Sequence, residues 1–228
     1  MMNVIGHRGA SVDFAENTLL AFRGALAQGA DWVELDVRRT SDGVLVVHHD
    51  PFISGGEVIA HTDYHALPDT VPTLAEALQA SAPMGVNVEI KNSPGEAGHD
   101  PSGDLARLTI DVIARSAGAS EILVSSFDLD TLVVVRSISG APPTGYLVLS
   151  ADDPLDAVAA AVVGGHRAIN PWDPLVTADS VKRSHAAGIE VNVWTVDDPD
   201  RIRQLAAWGV DSVITNRPAV ALEALGRG

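Results

Sequence analysis

Short apolar runs, rich in β-branched residues, recur at residues 4–5, 32–37, 86–90, 122–126, 145–149, 168–170, 190–196 and 212–215. Between most of them lie alanine- and leucine-rich stretches whose apolar positions repeat at helical spacing. Leu19, Leu20, Phe22, Ala25 and Leu26 form such a stripe within residues 17–28, and Gly29 is a stop signal. The same pattern predicts helices over 73–81, 105–117, 129–137, 155–163, 178–187 and 199–208. Strands that alternate with amphipathic helices imply an α/β protein built on a parallel sheet.

A ninth extended run, residues 44–48, follows the second with only Thr40, Ser41, Asp42 and Gly43 at the bend. That is too short for a crossover between parallel strands. Asp42-Gly43 is a tight-turn pair, so residues 34–50 read as a hairpin that extends the second strand. Folded at that pair, the hairpin sets His49 opposite Asp36, within side-chain reach. Eight parallel strands remain. In a chain of 228 residues they predict a (β/α)8 TIM barrel, one domain over residues 1–228, with the hairpin and a short insertion after the second barrel strand. A doubly wound sheet would want a G-x-G-x-x-G loop after a strand, and none is present. The insertion, about residues 51–72, and the segment 92–104 would lie on the catalytic face. Both hold glycines (Gly55, Gly56, Gly95, Gly98, Gly103) and few large side chains, which predicts a mobile, permissive rim.

Composition narrows the function. The chain is 46% hydrophobic, enough for a large core, and it has no cysteine, which excludes a disulfide scaffold and thiolate metal sites. A net charge of −15 without a basic cluster argues against nucleic acid and anionic lipid as partners. An anionic small molecule still fits if the site supplies its own cations. No apolar run of about 18 residues occurs, and the start lacks the basic and apolar segments of a signal peptide. The expected location is cytoplasmic, without stable membrane association; oligomeric state is left open.

Ionisable residues collect at the carboxyl ends of the strands. Gly6-His7-Arg8-Gly9 ends the first, Glu34-Leu35-Asp36-Val37 lies in the second, and His48-His49-Asp50 closes the hairpin. Glu89-Ile90-Lys91 ends the third and Trp194-Thr195 the seventh. Period-two alternation puts Glu34 with Asp36 on one face, and Glu89 with Lys91 on one face of their strand. Three carboxylates pointing into one barrel mouth repel one another unless a cation sits among them, and oxygen ligands suit Ca²⁺ or Mg²⁺. Each group alone has an ordinary reading. Glu-x-Asp in a strand is commonly a solvated face, and Asn17 reads as a helix cap. His61, His65, His99, His166 and His185 read as structural or exposed, Trp32 and Trp208 as packing, and His48 as pointing away if His49 points in. The functional reading rests on several strands delivering compatible groups to one end.

Those residues carry a family resemblance. Gly6-His7-Arg8-Gly9-Ala10, Glu16-Asn17-Thr18, Glu34-Leu35-Asp36-Val37, Val46-Val47-His48-His49-Asp50, Glu89-Ile90-Lys91, Ser126-Phe127 and Trp194-Thr195-Val196 resemble the glycerophosphodiester phosphodiesterases in order and approximate spacing. Gly209-Val210-Asp211 through Thr215-Asn216-Arg217-Pro218 resembles the family's closing segment. The resemblance implies a (β/α)8 barrel that hydrolyses glycerophosphodiesters, as small-molecule substrates, to glycerol 3-phosphate and an alcohol. It implies a divalent metal on Glu34, Asp36 and Glu89, with His7 and His49 as acid and base. It further implies Arg8 and Lys91 against the phosphate, and Phe127 and Trp194 on the alcohol side. One departure stands out: Pro51-Phe52-Ile53-Ser54-Gly55-Gly56 follows the His-Asp motif, where relatives often carry an Arg-Thr stretch. Two other readings are a lipid phosphodiesterase acting on lysophospholipids or sphingolipids, which wants an exposed apolar rim, and a non-catalytic binding barrel, which predicts losses among these five metal and acid–base residues.

Overall fold

In the computed structural model, which describes residues 1–116, 121–150 and 154–228, the strands close on themselves. They are β1 (Asn3–Gly6), β2 (Trp32–Arg39), β3 (Leu45–Val47), β4 (Gly85–Ile90), β5 (Ile122–Ser126), β6 (Thr144–Val148), β7 (Ala168–Pro171), β8 (Glu190–Val193) and β9 (Ser212–Thr215). All but β3 are parallel, and β1 bonds to both β2 and β9, which closes an eight-stranded barrel. β3 lies antiparallel on β2, outside the ring. The helices are α1 (Leu19–Ala27), α2 (Leu74–Ser81), α3 (Asp104–Arg115), α4 (Leu129–Ser137), α5 (Pro154–Gly164), α6 (Ala178–Ala186), α7 (Pro199–Trp208) and α8 (Pro218–Ala224). The architecture is the expected TIM barrel.

Local chemistry sets most helix starts. Thr18, Asp128 and Asp198 accept backbone N–H groups of the turns they precede, and Thr73 with Glu76 forms a reciprocal capping box. The short α8 escapes sequence periodicity, since only Pro218, Ala221 and Leu222 are buried on it. The helix expected over 105–117 ends at Arg115, and Ala117 lies outside the described residues. The strand expected over 190–196 stops at Val193; Trp194 retains a single bridge to Trp172, and the Val196 N–H bonds Ile214 O.

Two layers of side chains follow from strand alternation. Val33, Leu35 and Val37 of β2 and Val86, Val88 and Ile90 of β4 pack outward with Phe22, Leu74 and Leu78 of the helices. The intervening residues, Trp32, Glu34 and Asp36 with Gly85, Asn87 and Glu89, therefore point into the barrel. β2 and β4 pair in parallel with Asp36 beside Glu89, which puts both carboxylates at one height.

One expectation needs correction. The hairpin turns through Ser41-Asp42-Gly43, with Gly43 at φ 84° and Val44 N–H held by Thr40 Oγ1 at 2.9 Å. A loop one residue longer than the Asp42-Gly43 pair shifts the register by one. Val37 then faces Val47, and His48 N–H bonds Asp36 O at 2.9 Å, so His48 and not His49 stands opposite Asp36. The rim carries bonds of its own. Buried Asn92 accepts Asp100 N–H at 2.7 Å and donates to Asp100 O at 3.0 Å, which closes the 92–104 segment on itself. Glu96 of that segment pairs with Arg38 at 3.2 Å. The insertion has its own small core of Ile59, Leu67 and Val71 on Val46.

The barrel floor yields a prediction. A Cβ on Gly85 would lie 2.2 Å from Cδ2 of the Trp32 ring, where no atom can sit. Gly85→Ala is expected to destabilise the fold by about 1–3 kcal/mol through overpacking, read as a lower urea midpoint; an unchanged midpoint would show that Trp32 yields freely.

Candidate active site

The first strand delivers its groups through a strained turn. Gly9 has φ 88°, and a Cβ there would meet the Ala21 backbone at 2.5 Å, so glycine is required where the turn crosses α1. Arg8 and Asn17 hold positive φ, 56° and 57°, a conformation that costs a non-glycine residue about 1–3 kcal/mol and often marks a functional site. Each is held by the site itself. Arg8 N–H donates to Glu34 Oε2 at 2.9 Å, and Asn17 N–H donates to Arg8 O at 3.0 Å. Asn17 is not the helix cap; Thr18 is. The buried Asn17 amide instead donates through Nδ2 to Asp36 Oδ2 at 2.7 Å.

Glu34, Asp36 and Glu89 are all buried, and each offers an oxygen within 4.8 Å of the others. Two cations answer three carboxylates. Arg8 Nε lies 3.3 Å from Asp36 Oδ2, and Lys91 Nζ lies 2.8 Å from Glu89 Oε1 and 3.7 Å from Asp36 Oδ1. Burial pushes the Asp36 carboxyl up, but Lys91, Arg8 and His49 outweigh it and hold the pKa below its ordinary value. Burial pushes Glu34 well above the usual carboxylate range, and the charges of Asp36 and Glu89 add to the rise. Glu89 is raised as well, by burial and Asp36 against the pull of Lys91. Glu34 Oε1 and Asp36 Oδ1 have no hydrogen-bond partner although both are buried. Unpartnered carboxylate oxygens at one point, with one negative charge left over, fit a hard divalent cation.

The histidines flank this cluster. His7 places Nε2 4.0 Å from Glu34 Oε2 and Nδ1 2.7 Å from Asn216 Oδ1. His49 Nδ1 is 2.7 Å from Asp50 Oδ1, and Arg38 Nε donates to the His49 carbonyl at 2.8 Å. Burial pushes both imidazoles below their ordinary pKa, against the attraction of Asp36. His48 turns its Nδ1 to the Asp50 carbonyl at 2.9 Å and lies outside the cavity lining. His166 is buried against Thr144, and His185 pairs with Asp211 at 2.8 Å. His61, His65 and His99 also lie away from the cavity.

A cavity of about 300 Å³ joins these groups. One side is ionic: His7, Arg8, Glu34, His49, Glu89 and Lys91. The other is apolar: Phe127, Leu147, Leu149, Trp194 and Ile214. Phe127 and Trp194 meet edge-on with centroids 5.6 Å apart, and Trp194 Nε1 donates to Asn170 O at 2.7 Å. Lys91 Nζ sits 5.7 Å from the Phe127 centroid, at the seam between the sides. Every residue anticipated for the site thus borders the cavity, except the fully buried Asp36 behind it. Leu147, Leu149 and Ile214 were not anticipated, because apolar residues in a strand or just after it carry no chemical signal until closure turns them inward. The lining includes no residue of 51–72 or 92–104; its apolar side comes from the ends of strands and the residues just after them. A larger cleft, about 450 Å³, opens at the other end of the barrel beside Asn3 and Ser212, where its charged pairs Arg167–Glu190 and Arg227–Asp31 brace the fold.

Comparison with known proteins agrees with this geometry. The model of the glycerophosphoryl diester phosphodiesterase family matches residues 7–220. A glycerophosphodiester phosphodiesterase of Caldanaerobacter subterraneus subsp. tengcongensis is 26% identical over 99% of this chain and 98% of its own. A solved Oleispira antarctica phosphodiesterase, in complex with the product sn-glycerol-3-phosphate, superposes with a TM-score of 0.89 at 26% identity, covering 98% of this chain and 96% of that one. The Thermotoga maritima glycerophosphodiester phosphodiesterase gives a TM-score of 0.82 at 26% identity and 98% coverage of both chains.

The carboxylate cluster makes a prediction about stability. The raised Glu34 pKa means that the metal-free fold loses stability as pH climbs from the ordinary carboxylate range through that value. In chelator at alkaline pH, Glu34→Gln is expected to melt higher than the unsubstituted chain. Ca²⁺ or Mg²⁺ at a hundredfold excess over its Kd should add about 2.7 kcal/mol to the unsubstituted chain and nearly nothing to Glu34→Gln. Equal cation responses in the two would remove Glu34 from the ligand set.

Proposed function

The chain belongs to the glycerophosphoryl diester phosphodiesterase family and is a phosphoric diester hydrolase; on that premise we propose a metal-dependent cleavage of glycerophosphodiesters to glycerol 3-phosphate and an alcohol, carried out by a histidine pair in one barrel domain. The observation that carries this reading is the cavity with an ionic and an apolar side, at whose base buried carboxylate oxygens lack partners. The product held by the Oleispira antarctica relative supports the product class.

Glu34, Asp36 and Glu89 would hold the cation, Ca²⁺ or Mg²⁺. When bound, a divalent cation supplies positive charge against a phosphate's non-bridging oxygens. Arg8 and Lys91 bring charge of their own to the same face. Burial lowers Lys91, but Glu89 and Asp36 outweigh it and raise its pKa, so it stays protonated at neutrality. A histidine with lowered pKa is neutral at pH 7 and can accept a proton there; its partner has to enter the reaction as the imidazolium, a form that the negative phosphate of a bound diester favours. In the proposed sequence one histidine accepts the proton of the glycerol 2-hydroxyl as that oxygen attacks phosphorus, and the other protonates the departing alcohol. Water then opens the cyclic phosphate. Phe127 and Trp194 form the wall on the alcohol side and keep that half of the substrate dry.

A second reading, hydrolysis of a lysophospholipid, draws on exposed apolar residues following the strands: Phe52, Leu149 and Trp172 are 46%, 55% and 42% exposed. Among the described residues no helix is long and apolar enough to cross a membrane. Release of glycerol 3-phosphate from soluble glycerophosphodiesters, measured beside lysophospholipid turnover, separates the two readings.

Proton transfer by a positioned group is worth about 10²–10⁴-fold. His7→Ala and His49→Ala are each expected to lose turnover on that order while circular dichroism shows the fold intact. His185→Ala, which disturbs only the half-exposed pair with Asp211, should retain most of it. Similar small losses in all three would show that the acid–base pair lies elsewhere.

A further inference from the structure

His49 borders the cavity from outside the closed ring. It lies two residues past the end of β3, the strand appended to β2. The bond from His48 N–H to Asp36 O is the last one of the hairpin before it. Its Nδ1 meets Asp50 Oδ1 at 2.7 Å, but the Asp50 side chain is 70% exposed. A chain neighbour that itself stands in solvent cannot fix an imidazole against the barrel.

Buried Arg38, which the proposed chemistry leaves without a role, makes that connection. It shares the strand parity of Glu34 and Asp36, so it leaves β2 on the same face, two residues further on. Its Nε donates to His49 O at 2.8 Å, and Nη2 donates to the same oxygen. Among the described residues, no other hydrogen bond joins His49 to a barrel strand. The guanidinium is itself braced. Nη1 and Nη2 donate to Glu96 Oε2 at 3.3 and 3.2 Å. Glu96 belongs to the 92–104 segment, which the Asn92–Asp100 clasp closes and whose Asp100 Oδ2 lies 3.8 Å from Arg39 Nη1. A guanidinium is a rigid planar fork, so with Nη1 and Nη2 on Glu96 its Nε–Nη2 edge is turned to the His49 carbonyl. Two donors on one oxygen fix the peptide that leaves His49. With it they fix the direction in which the Cα–Cβ bond carries the imidazole.

We propose that Arg38 is a positioning residue for His49: its guanidinium, braced by Glu96, clamps the His49 carbonyl and so sets where the imidazole enters the cavity. The clamp stands on hydrogen bonds; its effect on turnover rests on the part proposed above for His49. Arg38 is not among the residues that line the cavity, and the effect passes through one backbone oxygen.

Two exchanges test this in the full-length protein. Arg38→Met removes every donor while keeping much of the side chain's bulk; Arg38→Lys keeps a positive charge without the planar pair of donors. The first measurement is carbon relaxation NMR of the His49 imidazole, whose resonance is identified by its loss in His49→Ala. The ring is expected to be ordered in the unsubstituted chain, mobile in Arg38→Met and between the two in Arg38→Lys. The second is turnover. A misplacement of about 1 Å can cost about 100-fold, so kcat in Arg38→Met should fall by up to that order with KM little changed. Added to His49→Ala, the same exchange should cost less than about threefold more, because residues that act through one group are not additive. Losses that multiply in the double variant overturn the proposal. So does a His49 ring as ordered in the folded variants as in the unsubstituted chain, whatever the activities. A lysine that restores kcat while the ring stays mobile makes Arg38 a source of charge and overturns it too. A ring that loosens while turnover stays constant keeps the clamp and removes His49 from the chemistry. If Arg38→Met does not fold, Arg38→Lys carries both measurements.

Discussion

Three carboxylates buried within 4.8 Å of one another are the constraint around which the rest of this molecule is arranged. Ionised groups at that separation in a low-dielectric site repel strongly, and a fold that gathers them must answer them. Arg8 and Lys91 answer part of the charge, and the Asn17 amide answers one oxygen of Asp36. What is left over, a raised Glu34 and two oxygens without partners, is the capacity to take up a cation. The backbone strain at Arg8 and Asn17 belongs to the same account, because each residue is held at positive φ by a bond to the cluster or to its neighbour there.

The barrel makes this convergence possible at little local cost. A parallel strand pair puts Asp36 level with Glu89, and alternation sends both inward while Leu35, Val88 and Ile90 build the outer layer. Closure between β9 and β1 then brings Asn216 beside His7, residues separated by nearly the whole chain. The two ends of the sequence thus meet at the histidine, and the stability of that ring closure bears directly on the orientation of a proposed catalytic group. Stability and chemistry share the β9–β1 seam.

How much of this was legible beforehand depended on the range of the interaction. Period-two alternation and the ionisable residues at strand ends were enough to identify the barrel and the cluster of Glu34, Asp36 and Glu89, because both are properties of single strands. Hairpin register was not, since Asp42-Gly43 serves equally in a loop that begins one residue earlier, and the bond from Val44 N–H to the Thr40 hydroxyl that closes the longer one is a local side-chain choice that strand periodicity does not show. Asn17 read as a cap because a polar residue before an apolar stripe usually is one; its bond to Asp36 exists only after β2 folds against α1. Leu147, Leu149 and Ile214 showed nothing for a related reason, as an apolar residue in a strand looks the same whichever side it faces. The Asn92–Asp100 clasp in the 92–104 segment was not legible either, because it is a pairing that composition does not reveal.

The division of the cavity into an ionic and an apolar side also resolves the conflict between an acidic protein and an anionic substrate. A formal charge of −15 repels phosphate at long range, but at physiological salt that field is screened over about 8 Å. Inside the mouth the local balance differs from the global one. Arg8 and Lys91 line the cavity, on the side proposed for the phosphate, and a bound cation would shift the balance further toward positive. The apolar wall of Phe127, Leu147 and Trp194 strengthens this locally, since excluding water raises the worth of each charge that remains. Lys91 stands where the two sides join, within 5.7 Å of the Phe127 ring and 2.8 Å of Glu89. In the proposed mode, with phosphate on the ionic side and alcohol on the apolar side, the scissile bond of a diester would lie along that join, in the cavity that both histidines line.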